Sequence, residues 1–383
     1  MSTRRQAIVY CAGAPWDAVQ GTDRHLVRSL ARHVDVLWVD PPLSSLRIAA
    51  GREPRGAVAG GRLRDVDDRT TRLLTIGPPF PGRRTVLPIT QGIMRRSIRR
   101  AVQEAGMEVL ATIVASPLQP LRVVPGGAQV YFATDDFVAG AELMGQSRSL
   151  LAREEQRRLD EADLLMAVSP TIAGPWQGRS AATMVLPNGC DASAYDRLDQ
   201  APEVTDVPLV PPIAGVVGQL SPRLDLSLIE AVADSGISVL LVGPVQPGFE
   251  PERFARLAAR PNVAWVGRKE LSELRSYLRL MDVGLTPYAD SDFNRASFPL
   301  KTLEYLAAGM PVVSTPLPAV EWLGTSLIAV AEEPLDFARA VKQAVTDAAS
   351  PHTAERARSF AGQHTWDARA ADLLQAIDRL ADR

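Results

Sequence analysis

The chain is poor in lysine, histidine and cysteine, and each shortage closes off a class of chemistry. Of its 42 basic residues, only Lys269, Lys301 and Lys342 are lysines. The arginines are scattered along the whole chain, which reads as compositional bias rather than as a phosphate-gripping surface. With 44 acidic residues the formal net charge is −2, so the basic excess of a dedicated nucleic-acid binder is missing. Two cysteines, Cys11 and Cys190, build neither a disulfide framework nor a structural zinc site, and they read as small packing residues. His25, His33, His352 and His364 form no metal-ligand spacing. No metal-ligand spacing is therefore present, and no cofactor is expected. Long apolar runs are also missing. Tyr305–Val320, as long as any uncharged stretch in the chain, is broken by three prolines and falls short of the ~20 residues that a membrane span needs. The apolar run near the amino terminus is too short for a signal-peptide core. A cytoplasmic protein is expected. Neither the G-x-G-x-x-G fingerprint nor the G-x-x-x-x-G-K-[ST] loop occurs, which sets aside nicotinamide Rossmann enzymes and P-loop NTPases.

What is present is a long alternation. A chain of 383 residues with 46% hydrophobic content is globular and of two-domain size. Strands are predicted at Gln6–Ala12, Val34–Asp40, Leu73–Gly77, Val109–Ala115, Ala128–Thr134, Leu164–Ser169 and Thr183–Leu186. Helices are predicted at Thr22–Arg32, Ile89–Ala105 and Ser147–Ala162. Ala49–Arg72 is rich in Gly and Arg with little periodicity and reads as a loop or lid. Leu198–Pro212 carries four prolines and reads as a linker. The alternation then restarts with strands at Ile213–Val217, Ser238–Val242, Val263–Val266, Val283–Thr286, Pro311–Ser314 and Leu327–Val330, and helices at Phe337–Ala348 and Trp366–Ala381 close the chain. Such βαβα order on both sides of a linker predicts two doubly wound α/β domains, with ligands at the carboxyl ends of the strands.

The most informative block is Ser297–Thr315, SFPLKTLEYLAAGMPVVST. It reads as a helix start with Ser297 as cap, a short helix, a glycine stop and a buried strand. Amide groups at the helix start can face an anion. Lys301 places a cation in the first turn, where the helix dipole disfavours one, and a phosphate between the two resolves the conflict. Glu304 lies one turn on and can take both hydroxyls of a ribose; a plain Lys–Glu surface pair is the alternative. Elsewhere, Gly13 lets a ligand approach the backbone, and Trp16 and Asp17 follow on the same strand-end loop. Asp135 and Asp136 stand at another strand end, suited to sugar hydroxyls or to base chemistry, or to capping the next segment. The arginines of Ile89–Ala105 suit a solvated face, or a peripheral contact with an anionic membrane.

The Ser297–Thr315 block resembles the donor site of GT-B nucleotide-sugar glycosyltransferases, in particular the retaining family four and, within it, the teichuronic-acid-biosynthesis type. Other segments extend the resemblance: VLPNGCD at 185–191, VVGQLSPRLD at 216–225, LVGP at 241–244, VAWVGR at 263–268 and MDVGLTPY at 281–288. The likeness is specific in the second half and weak before residue 128. It implies two doubly wound Rossmann-like domains facing a central cleft: an acceptor-binding domain at 1–195, a linker at 196–212, a donor-binding domain at 213–360, and a helix at 361–383 returning to the first domain. Three positions depart from the family pattern. Glu304 matches the second member of a Glu-x7-Glu pair whose first member falls on Ala296. Gln219 stands where the family carries Arg, with Arg223 nearby. Asp135 stands where many members have His.

By this resemblance the chain is expected to move a sugar, as a hexosyltransferase, from a nucleoside-diphosphate sugar to a small-molecule, lipid-linked or glycan acceptor, with retention and without a metal. Gly13, Gly218, Gln219, Arg223, Gly243, Gly267, Arg268, Ser297, Leu300, Lys301, Thr302 and Glu304 are the expected donor residues. Trp16, Asp17, Asp135 and Asp136 are the expected acceptor residues. Asp135, Arg223 and Lys301 are the expected catalytic groups. The alternatives are a non-catalytic GT-B subunit that partners another transferase, favoured by Ala296 and Gln219, and a GT-B sugar-nucleotide epimerase.

Overall fold

The computed structural model describes residues 5–18, 20–50 and 63–382. Two compact units emerge. The first runs to Pro187 and resumes at Trp366; the second is Asn188–Thr365.

The first unit holds strands β1 (Arg5–Cys11), β2 (Asp35–Val39), β3 (Leu43–Ser44), β4 (Leu63–Asp65), β5 (Thr70–Leu73), β6 (Ile76–Gly77), β7 (Met107–Val114), β8 (Ala128–Ala133), β9 (Leu164–Ala167) and β10 (Ala182–Val185). Its helices are α1 (Thr22–Leu30), α2 (Ser45–Ala49), α3 (Leu87–Glu104), α4 (Arg148–Glu161) and α5 (Pro170–Ala173). Eight strands form one sheet in the order β10-β9-β8-β7-β1-β2-β5-β4, and β3 pairs with β6 apart from it. Every pairing is parallel except β4 with β5. The central strands are buried apolar runs, as a sheet covered on both faces requires.

The loop expected over Ala49–Arg72 is only partly a loop. Leu63 lies opposite Leu73 and Asp65 opposite Thr71 in an antiparallel pair. The Asp67 carboxylate closes the turn by accepting the N–H groups of Arg69 and Thr70. Charged, alternation-poor strands of three and four residues leave little periodic signal. Residues 51–62 of that expected lid lie outside the described residues. A second difference concerns α3. Its buried face runs through Met94, Ile98, Ala101 and Val102. The helix starts earlier, at Leu87, and the larger pair Met94/Ile98 takes the core. Of the arginines expected on its outer face, Arg99 donates to the Val123 carbonyl and Arg100 pairs with Glu104.

The second unit holds β11 (Ile213–Val217), β12 (Ser238–Val242), β13 (Val263–Trp265), β14 (Val283–Thr286), β15 (Val312–Ser314) and β16 (Ile328–Val330). Its helices are α6 (Leu226–Asp234), α7 (Pro251–Ala258), α8 (Leu271–Leu278), α9 (Asp292–Ala296), α10 (Leu300–Ala307), α11 (Pro318–Leu323), α12 (Pro334–Ala348) and α13 (Pro351–Gly362). The sheet is wholly parallel in the order β13-β12-β11-β14-β15-β16. That is the doubly wound dinucleotide order, with its switch point between β11 and β14. Helix starts are fixed locally: Asp225 caps α6 and Ser291 caps α9. The core joins Val216, Leu241, Val283, Leu285, Val313, Phe337 and Val341.

The proline-rich stretch expected to link two domains is laid along the second unit. Arg279 donates to the Ala201 carbonyl, Tyr277 to Asp206 at 2.8 Å, and Ser238 to the Val210 carbonyl. Helix α13 was not anticipated. Its buried contacts are the small Ala357 and Ala361, which give a faint amphipathic stripe. The last helix, α14 (Trp366–Ala381), belongs to the first unit, with His25 stacked on Trp366 at 5.2 Å and Arg32 paired with Asp367.

One close approach shapes the second unit. A Cβ placed on Gly284 in β14 would stand 2.2 Å from the Tyr305 ring of α10. The Tyr305 hydroxyl, deep in the core, accepts the Val217 N–H at 2.7 Å. Gly284→Ala is expected to lower stability by about 2–3 kcal/mol through overpacking, read as a drop in urea midpoint. Gly21→Ala, where a Cβ meets nothing within 4 Å, is expected to leave the midpoint nearly unchanged.

Candidate functional site

At the switch point of the second unit, three strands end in glycine turns laid side by side. Gly218 follows β11 with φ 137° and donates its N–H to Val242. Gly243 follows β12 with φ 147° and donates to Gly267, itself at φ 70°. A Cβ on Gly243 would lie 1.8 Å from the Gly218 carbonyl oxygen, so no other residue fits. The result is a floor of closely stacked backbone at the carboxyl ends of β11, β12 and β13, with Gly243 buried and Gly218 and Gly267 partly exposed. Trp265 donates its indole N–H to the Gly243 carbonyl. Gln219 and Arg268 point into solvent, the latter 3.8 Å from Glu270.

Arg223 is the most heavily positioned side chain here. Its backbone carbonyl takes the Ala289 N–H, and Leu224 bridges to Tyr288, so the loops after β11 and β14 are sewn together. Its guanidinium stands 5.4 Å from the Tyr288 ring and 4.9 Å from the Phe293 ring. Nε donates to Asn294 Oδ1 at 3.0 Å and Nη2 to Ser297 Oγ at 3.2 Å, which leaves further N–H donors for an anion. Asn294, fully buried, also donates to the carbonyls of Arg223 and Ala289. Nothing in the sequence marked it. Ser297 corrects the sequence reading. It does not cap α10, whose N-cap is Pro299; its hydroxyl donates to Asn294 O in the last turn of α9 and receives Arg223. Two intervening residues put Ser297 on the earlier helix.

Helix α10 starts beside this cluster. The N–H groups of its first turn have no partner within the helix, and Leu300, Lys301 and Thr302 supply them. The Thr302 side chain is buried, and its hydroxyl oxygen meets no partner, so Thr302 can serve a ligand only through its backbone. Lys301 Nζ lies 2.6 Å from Glu304 Oε2, with both side chains partly exposed. One ammonium hydrogen and one carboxylate oxygen meet there, and the other ammonium hydrogens remain for a ligand. The Tyr195 hydroxyl hydrogen-bonds Glu304 as well; burial first, then that carboxylate, push its pKa far up, which keeps the phenol a donor. Tyr195 is another residue the sequence did not single out. Asn188, in the VLPNGCD segment, donates to the Phe298 carbonyl at 2.7 Å, so the start of α10 is held from two sides. Burial raises the Tyr288 pKa against the pull of Arg223 and Lys301. Ala296, where the family pairs a second carboxylate, is buried. Thus Arg223 meets Ser297, Lys301 meets Glu304, and Arg223, Lys301 and Glu304 all act on Tyr288, while the three glycines end neighbouring strands of the same sheet.

The remaining expected residues belong to the first unit. Gly13 follows β1 at that sheet's switch point, and a Cβ there would press within 3.0 Å of the Ala115 carbonyl. Its N–H goes to Asp23 Oδ2 at 2.8 Å. The Trp16 N–H and the Trp38 indole both donate to Asp40 Oδ1, Arg72 Nε donates to Asp40 Oδ2 at 2.6 Å, and Arg72 also pairs with Asp17. A buried Asp40–Arg72 pair thereby sets the Trp16–Asp17 loop. Asp135 is half-buried just past β8. Asp136 is committed to its own turn, accepting the N–H groups of Val138 and Ala139. Among the described residues, no group of three or more His, Cys, Asp or Glu could hold a metal ion.

Residues 212–347 match the family model described as glycosyl transferases group 1. These residues lie in unit two and contain the three glycine turns at its switch point, Arg223 and α10. The whole chain has the GT-B architecture. It superimposes on sucrose-phosphate synthase from Thermosynechococcus elongatus with a TM-score of 0.73 over 99% of this chain and 100% of that one, at 17% identity. With Anabaena HepE, solved with UDP and glucose, the TM-score is 0.63 over 96% and 99%, also at 17% identity. In sequence it is similar to TuaH of Bacillus subtilis (strain 168), named as a teichuronic acid biosynthesis glycosyltransferase, with 32% identity over 160 residues. That match spans 40% of each chain.

Asn294→Ala leaves Arg223 Nε and two carbonyls without their partner, and is expected to cost about 1–3 kcal/mol by chemical denaturation. Burial, partly offset by hydrogen bonds from Gly13, Tyr10 and Ala14, raises the Asp23 pKa from 3.8 to about 6. A carboxyl more easily protonated in the fold favours the fold at low pH; that contribution is complete below about pH 4 and disappears as pH rises through about 6. Wild-type stability relative to Asp23→Asn should therefore fall between these pH values, measured as the difference in thermal midpoints.

Proposed function

We propose that the protein is a glycosyltransferase that moves a sugar from a nucleoside-diphosphate sugar to an acceptor hydroxyl, with retention and without a metal. The observation that carries this reading is the meeting of Arg223, Lys301 and Glu304 at the switch point of a group 1 domain. The cations and the first-turn amides of α10 oppose the diphosphate, Glu304 takes the ribose hydroxyls, and the glycine floor with Arg268 lies against the base. In the chemical step the acceptor oxygen bonds to the anomeric carbon and the bond from that carbon to the phosphate oxygen breaks. The acceptor proton passes to the departing phosphate oxygen. Arg223, Lys301 and the helix amides stabilise the charge that gathers on the leaving diphosphate. Their partners fix them in advance, so little reorganisation is needed. Asp135, Trp16 and Asp17 are the acceptor-side groups of this reading, and the acceptor is a small molecule, a lipid-linked sugar or a glycan met in the cytoplasm.

Buried Ala296 and exposed Gln219 favour a second reading, a non-catalytic GT-B subunit. Thermal shift with UDP, dTDP, GDP and ADP separates the two. UDP is the first choice because a structural neighbour holds it. One nucleotide at about a millimolar is expected to raise the wild-type midpoint by mass action, with the shift lost in Glu304→Ala. Tyr195→Phe removes only the hydroxyl behind Glu304 and should weaken that nucleotide about fivefold, roughly one hydrogen bond. No shift with any nucleotide would sink the donor-site reading.

A further inference from the structure

The first unit presents a rigid apolar point set in positive charge, and nothing in the donor site uses it. The segment from Pro78 to Arg84 reads PPFPGRR. Phe80 holds φ 54°, a left-handed conformation that a bulky residue rarely adopts, and half of its surface is exposed. Three prolines and the Arg83 N–H to Phe80 carbonyl bond hold the turn rigid, and Thr90 of α3 donates to the Pro81 carbonyl. Ile89, one residue earlier on α3, is 61% exposed. A Cβ on Gly82 would lie 3.9 Å from the Gln146 side chain, which brings in the neighbouring 140–146 turn with its exposed Leu143 and Met144. Arg83 lays its guanidinium 4.3 Å from the Phe80 ring, and Arg84 and Arg96 are exposed nearby in the chain. From Pro78 to Gln103 the sequence has six arginines and no acid.

The geometry points to the surface of an anionic lipid bilayer as the partner of this face. A strained turn that holds an aromatic ring outward, with a guanidinium lying on it, matches the bilayer interface: ring and Ile89 enter the acyl boundary while the arginines meet lipid phosphates. A protein partner would have to desolvate those arginines. Contact would be peripheral, because no helix among the described residues is long and apolar enough to cross a membrane. The assignment moves the contact from the outer face of α3, where Arg99 and Arg100 already have partners, to the turn that precedes it. It is independent of the donor-site reading.

Co-sedimentation of the full chain with phosphatidylcholine vesicles, with and without phosphatidylglycerol, tests it. Wild type is expected to bind the anionic vesicles and to lose binding at high salt. Phe80→Ser combined with Ile89→Ser, and separately Arg83→Gln combined with Arg84→Gln, should each lower partitioning about tenfold or more. Both leave the UDP-induced thermal shift as in wild type. Absence of wild-type binding to anionic vesicles overturns the proposal, as does an apolar double variant that partitions like wild type. Concentration-dependent self-association abolished by Phe80→Ser and Ile89→Ser, with no vesicle binding, would assign the face to a second copy instead. A chain that binds vesicles but no nucleotide keeps this inference and loses the donor site.

Discussion

Tyr305 is the contact on which the second unit turns. Its ring occupies the space that Gly284 leaves in β14, and its hydroxyl takes the last N–H of β11. One side chain thus ties α10 to both strands that flank the switch point. A doubly wound sheet opens a crevice there on topological grounds, but an open crevice only becomes a site when a helix end is held at its edge. Tyr305 does that from below, while Asn188 and Tyr195 hold the same helix from the side. Shift Tyr305 and the start of α10, with Lys301 and Glu304, leaves the glycine floor.

Arg223, Glu304 and Asp17 share a design: each is fixed by a residue that is itself buried. Asn294 uses both its acceptor and its donors to hold Arg223 and the loop it comes from. Tyr195 stands behind Glu304, whose Oε2 faces Lys301. In the first unit Asp40 serves Trp16, Trp38 and Arg72 at once, and Arg72 reaches on to Asp17. Fixing charges before a ligand arrives is the arrangement by which an active site stabilises charge that develops later. It also explains why a chain with three lysines can assemble a cationic site: arginine suits buried, hydrogen-bonded, ring-stacked positions.

The legible and illegible parts differ in physical kind. Buried parallel strands are short apolar runs, so Ile213–Val217 and Ser238–Val242 stand out from the sequence with their ends correct. The block around Lys301 and Glu304 was readable because helix spacing puts i and i+3 on one face regardless of context. Strands β4 and β5 were not, because their partners, rather than their own pattern, make them strands. Helix α13 hid behind alanines, which carry little amphipathic signal. Ser297 misled because a serine ahead of a helix looks like its cap, whereas only the fold shows that a second short helix ends on it.

The sequence by itself determined the alternation of strand and helix, the restart after residue 212, and the positions of Lys301, Glu304, Arg223 and the glycines that end three strands. The alternation, the restart and the shared face of Lys301 and Glu304 follow from local periodicity, turn chemistry and spacing, whereas Arg223 and the three glycines are expected only from the family resemblance. Tertiary structure alone decided that Asn294 and Tyr195 belong to the site, that Thr302 faces inward, that Asp136 serves its own turn, and that Phe80 stands out beside Arg83. Each depends on which distant backbone or ring lies opposite, as in the 110 residues between Asn188 and the carbonyl it meets, and one-dimensional spacing carries no record of that distance.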